Sequence, residues 1–111
     1  MIEIYSVSRL IADSWQLNGS VVTAIGTLLA DLDNAWLIDA RERSVRVRLG
    51  GNELVNLLRG TTPMHIGRFT YNDTASVKAK FLYRREKPPT LEPLTINIIR
   101  ADGAHVTSIA Q

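Results

Sequence analysis

The segment from Leu17 to Leu29, LNGSVVTAIGTLL, constrains this chain more than any other. An Asn-Gly turn signal leads into a β-branched run, and one glycine, Gly26, stands in the middle of that run. Glycine inside a flat strand is unfavourable, because it packs no side chain and loses much backbone entropy on ordering. It is tolerated where a strand bends sharply, as at the corner of a small closed barrel.

The remaining periodicity suits such a barrel. Val7, Leu10, Ile11 and Trp15 recur at helical spacing, with Ser6 as N-cap, so residues 1–19 read as a helical lead-in ending at Asn18-Gly19. Residues 20–30, 35–40 and 44–49 read as three strands joined by short polar turns, which predicts an antiparallel meander. In SVRVRL, Val45, Val47 and Leu49 share one face and Arg46 and Arg48 the other. Gly50-Gly51 breaks the sheet. A short helix is expected from Asn52, its cap, through Glu53 to Arg59, with Leu54, Leu57 and Leu58 as its apolar stripe and Gly60 in the left-handed position after it.

Further on, His65–Thr70 reads as an additional strand or an early start to the fourth, and Tyr71–Thr74 as a turn. Val77, Ala79, Phe81 and Tyr83 alternate with Lys78, Lys80, Leu82 and Arg84 as a strand. Arg84–Pro93 holds three of the four prolines and reads as a loop, followed by a last strand over 94–99. Residues 101–111 form a weakly patterned tail, with a short edge strand at Val106–Ile109.

This order resembles the OB-fold superfamily of five-stranded Greek-key barrels. The Leu17–Val22 lead-in, Gly26 in the first strand and the helix between the third and fourth strands carry the likeness, over residues 7–100. The expected fold is therefore mainly β: an OB-fold-like barrel of five to six strands, with an N-terminal helix and a helix between strands three and four. The 20–100 barrel makes a single domain of the 111 residues.

The resemblance implies a ligand face on strands two and three, framed by the loops after strands one and four. Trp36, Arg46 and Arg48 fall on that face. Arg84 and Arg85 fall in the loop after strand four, and Lys78, Lys80 and Tyr83 on strand four itself. Cations for phosphates and rings for bases are what single-stranded nucleic acid requires. The expected function is a non-catalytic binding module for single-stranded nucleic acid, with a protein-interaction module, a subunit or inhibitor of a larger assembly, as the alternative. Outward Leu82 and Ile99 favour the second reading, as do aromatic residues at only 6% and the acidic Asp31 and Asp33 beside the face.

Other chemistry is poorly supported. No cysteine is present, which excludes disulfides, thiolate metal sites and cysteine nucleophiles. Asp31-x-Asp33-Asn34 opens like a calcium loop, but no glycine follows at the sixth place. Although Glu42 stands at the twelfth, the intervening AWLIDA reads as strand. His65 and His105 have no ligand at metal spacing, and Gly50-Gly51 lacks the Lys and Ser/Thr of a phosphate loop. No nucleophile and base pair stands out, so no enzyme activity and no cofactor are expected. The net charge of +2 permits an anionic partner without demanding one. The N-terminus lacks a basic, then apolar, leader pattern and no run is long enough to span a bilayer, so the expected location is the cytoplasm, with no membrane partner.

Overall fold

A computed structural model of the chain describes residues 3–31, 33–50, 54–67, 69–84 and 86–109. Seven strands and three short helices follow in the order β1 (Ile4–Ser6), α1 (Val7–Ala12), α2 (Ser14–Leu17), β2 (Val21–Ala30), β3 (Ala35–Ile38), β4 (Arg46–Leu49), α3 (Leu54–Arg59), β5 (Tyr71–Arg84), β6 (Lys87–Arg100) and β7 (Gly103–Ser108). Strands β2, β3, β4, β6 and β5 pair in that sequence, and β5 pairs back to β2, closing a five-stranded barrel. Neighbours in the barrel are antiparallel except β4 and β6, which run parallel. With α3 between the third and fourth barrel strands, the architecture is mainly β and compatible with an OB-like fold.

Period-two alternation decides which side chains fill the barrel. Val22, Ala24, Leu28 and Ala30 of β2, Leu37 of β3, Val47 and Leu49 of β4, Val77, Ala79 and Phe81 of β5, and Leu91, Ile96 and Ile98 of β6 are buried together. Val7 and Leu10 of α1 and Leu54, Val55 and Leu58 of α3 complete the core. Ser6 Oγ accepts from the Arg9 amide as the expected N-cap. Trp15, expected on the buried stripe, is 73% exposed, because α1 ends at Ala12 and α2 starts a new direction. In α3, Leu57 is exposed and Val55 takes its place inside. Gly60 does not have a positive φ, and Thr61 and Thr62 N–H groups satisfy Leu58 O instead of a left-handed cap. The Asn52 cap and Glu53 lie outside the described residues.

Gly26 occupies an inward-facing position on β2. A Cβ there would stand 2.5 Å from the Ile38 carbonyl oxygen and 3.3 Å from Leu37 Cγ. What demands glycine is thus the close approach of β3. The partner of β2 also changes at this point: β1 lies alongside Thr23–Ile25, and β3 alongside Thr27–Ala30.

Three expectations for the second half are corrected. Residues 64–67, 69 and 70 form a loop rather than a strand. The turn expected at Tyr71–Thr74 is the start of β5, whose residues 71–80 pair with the whole of β2. The presumed proline loop belongs to β6. Pro93 pairs with Ala79 at a register irregularity, and Pro88 and Pro89 fall in a second one, between Leu82 and Arg84 of the partner strand. A ladder interrupted there does not miss the absent N–H groups. The lead-in contains β1, parallel to β2, which sequence periodicity did not show. Residues 103–108 form β7 along β6, a longer strand than the one expected at Val106–Ile109.

Candidate functional site

The alternation that buries Ala35 and Leu37 turns Trp36 outward, and the alternation that buries Val47 and Leu49 turns Arg46 and Arg48 outward. Trp36 pairs directly with Arg48, and Ile38 with Arg46. The Arg46 guanidinium carbon lies 4.3 Å from the Trp36 ring centroid, and that of Arg48 lies 5.7 Å away. Cation–π attraction at exposed sites is worth about 0.5–1 kcal/mol and orients such groups. Arg48 Nη2 donates to Asn34 Oδ1 at 3.0 Å. Among the described residues neither guanidinium pairs with a carboxylate. Trp36 is half-buried and outside the core, so its ring and the two cations form one outer surface.

The parallel register brings Arg48 level with Thr90 of β6, and Thr90 level with Leu82 of β5. Beside this row lies an open hollow of about 270 Å³ lined by Gly50, Leu82, Arg84, Lys87, Pro88, Thr90 and Glu92. Arg84 therefore joins the Trp36 face through this hollow, together with Lys87. Lys78 and Lys80 do not line this hollow: Lys80 stands level with Glu92, which does, and Lys78 lies one step further along β5, between Thr23 of β2 and Thr95 of β6. Tyr83 has inward parity and packs against the core while its N–H donates to Asn18 Oδ1 at 2.9 Å, so its ring is on the other side of the strand from Arg84. Arg85 lies outside the described residues.

At the other border of the face, the turn after β2 is held by Asp31, whose Oδ1 accepts from the Asp33 and Asn34 amides, both at 2.8 Å. This is an Asx turn. No group of three or more metal-ligating side chains occurs among the described residues.

Sequence reasoning missed a second cluster. Arg100 Nε donates to Asp73 Oδ1 at 3.0 Å and Nη2 to Oδ2 at 3.2 Å, and His65 Nε2 lies 3.0 Å from the same Oδ1. Burial alone would raise the Asp73 carboxyl, but the Arg100 and His65 hydrogen bonds outweigh it and hold it below the ordinary range. Beneath them, the Tyr71 hydroxyl donates to Thr62 O at 2.7 Å, and burial pushes that phenol up. The signal was available as parity: Asp73 continues the inward series of Ala75, Val77 and Ala79, and Arg100 that of Ile96 and Ile98. Opposite charges at inward positions at the end of two paired strands call for each other.

Two further polar groups tie the periphery together. Asp39 is buried at the end of β3 and accepts from the Ser8, Arg41 and Glu42 amides. The Ser8 amide chiefly holds its carboxyl low. His105 faces Asp102 Oδ1 at 2.9 Å and Thr61 O at 3.3 Å. Chiefly through Asp102, its imidazole is raised above the usual value.

No protein-family model and no curated protein sequence matches this chain. Among the described residues, no helix is long and apolar enough to cross a membrane.

Proposed function

We propose that this protein is a non-catalytic binding module of the OB-fold superfamily that takes single-stranded nucleic acid across the outer face of β3 and β4. The observation that carries the reading is the Trp36 ring flanked by Arg46 and Arg48, neither of which has a carboxylate partner among the described residues. A ring presents a face to any base, and a stacked base contributes about 1–3 kcal/mol. The guanidiniums beside it keep donors for phosphates on either side. Arg84 and Lys87 extend the basic track along the hollow toward the β5–β6 hairpin. The OB-like barrel adds a general argument, since such barrels bind oligonucleotides or oligosaccharides on the corresponding strands.

Fluorescence anisotropy with a labelled oligothymidylate tests this. Four phosphate contacts imply a slope near −2.8 in log K against log salt, or about a 50-fold loss between 50 and 200 mM. Arg46→Ala with Arg48→Ala halves that slope, and Trp36→Ala weakens binding with the slope unchanged. Lys78→Ala, further along β5 from the hollow, leaves both unaltered. Absence of binding at low salt refutes the reading.

A second reading, a protein-interaction module, draws on a different wall. Ile25, Ser76, Asn97 and Val106 form one cross-strand row on the outer face of β2, β5, β6 and β7, with Ile25 and Val106 exposed at its ends. The neighbouring edge strand β7, GAHVTS, carries no lysine or proline to discourage pairing. A strict monomer by light scattering at high concentration, with no co-purifying partner, counts against this reading.

A further inference from the structure

The loop between α3 and β5 stands beside the proposed face. Thr70 N–H and Oγ1 both donate to Ala30 O, at 2.9 and 3.1 Å. Ala30 is the last residue of β2 before the Asx turn that carries Asn34, the partner of Arg48. The loop is also braced from within. His65 N–H donates to Thr70 O at 2.9 Å, and the His65 ring is held by Asp73, itself clasped by Arg100. Gly67, with φ of +134°, makes the turn at its tip. This bracing holds outward what a loop would otherwise fold away: Met64 is 41% exposed and Ile66 is fully exposed.

Between this tip and the start of β5 lies an open hollow of about 340 Å³ lined by His65, Ile66, Gly67, Phe69 and Asn72. Ile66 and Phe69 supply apolar sides. Asn72 is exposed, and its amide has donors and an acceptor to offer a base edge. An open hollow with apolar side chains beside an amide and an imidazole fits a flat heterocycle, which has both a face and a polar edge, better than a phosphate or a sugar.

We infer that this hollow receives one unstacked base of the strand bound across Trp36 and Arg48, with Ile66 against its face and Asn72 at its edge. The inference rests on the proposed nucleic-acid reading and adds a second base site to it. Preorganisation by the Asp73 clasp lowers the ordering cost of the loop on binding.

Oligothymidylates carrying a single abasic position, moved along the strand, provide the test. Two sensitive positions are expected. The penalty at one disappears in Trp36→Ala, and the penalty at the other disappears in Ile66→Ala and in Asn72→Ala. Ile66→Ala itself weakens binding about 5-fold with the salt slope unchanged, in keeping with partial burial of one aliphatic side chain. Ile66 and Asn72 are both exposed, so neither change threatens folding. One sensitive position, or a second position indifferent to both substitutions, overturns the inference while leaving the Trp36 face intact. If wild-type protein binds no oligonucleotide, both fall together.

Discussion

Replacing Gly26 by alanine tests the close approach that shapes the barrel. The added methyl would meet the Ile38 carbonyl oxygen at 2.5 Å, a backbone atom that cannot rotate aside. Restoring an ordinary van der Waals separation requires β3 to retreat by about 1 Å. That retreat strains the Thr27–Ile38 pairing and disturbs Leu37, which is fully buried. Overpacking of this kind costs about 1–3 kcal/mol, and a weakened ladder hydrogen bond adds about 1 kcal/mol. Alanine returns about 0.4–1 kcal/mol by restricting the unfolded chain. Crowding wins, with a net loss of about 2–3 kcal/mol, or roughly 8–12 °C in Tm for a chain of this size. Circular dichroism with thermal and urea unfolding measures it. Gly50→Ala is the control: among the described residues its added methyl would meet only the Thr90 Cγ2 at 3.3 Å and Leu91 O at 3.6 Å. That side chain can yield, so the change stays within about 1 kcal/mol. A Gly26→Ala protein melting within 2 °C or so of wild type would refute the reasoning.

Arg100→Ala leaves the Asp73 carboxylate, only 7% exposed, without its main partner, and destabilises by about 2 kcal/mol at neutral pH, less than a fully buried pair would lose. Without Arg100 only His65 opposes burial, so the Asp73 carboxyl sits higher than in wild type and the defect shrinks as the pH falls and the group protonates; urea midpoints at pH 7 and pH 4.5 check the sign. Tyr71→Phe removes the donor to Thr62 O and costs about 1–2 kcal/mol by the same urea assay, with no loss of packing volume. The raised His105 value contributes stability that is complete below about pH 6.5 and fades as the pH rises through the folded-state value. His105→Gln therefore narrows the difference between urea midpoints measured at pH 5.5 and pH 8.5.

Local pattern by itself determined the meander, because each of its strands alternates at period two and each connection is short. It also determined that Trp36, Arg46 and Arg48 turn outward, since their neighbours Leu37, Val47 and Leu49 must be buried. Pattern failed where a partner strand overrides it. Three prolines suggested a loop, yet β6 accommodates them at two irregularities opposite β5. Lys78 and Lys80 carry the same charge as Arg46 and Arg48 and alternate as cleanly, but the strand order places them on β5, which is next to neither β3 nor β4.

Gly26 shows the division most plainly. The chain announces that something unusual happens at residue 26, because an interior glycine is a local cost visible in one dimension. That the cause is the Ile38 carbonyl, twelve residues later, is a property of two strands crossing in space. The Asp73, Arg100 and His65 cluster follows the same logic, with members brought together only when β5 and β6 pair and the loop folds back on them. Side-chain alternation is set by backbone geometry within a strand, whereas which outward faces meet is set by closure, and closure depends on every strand at once.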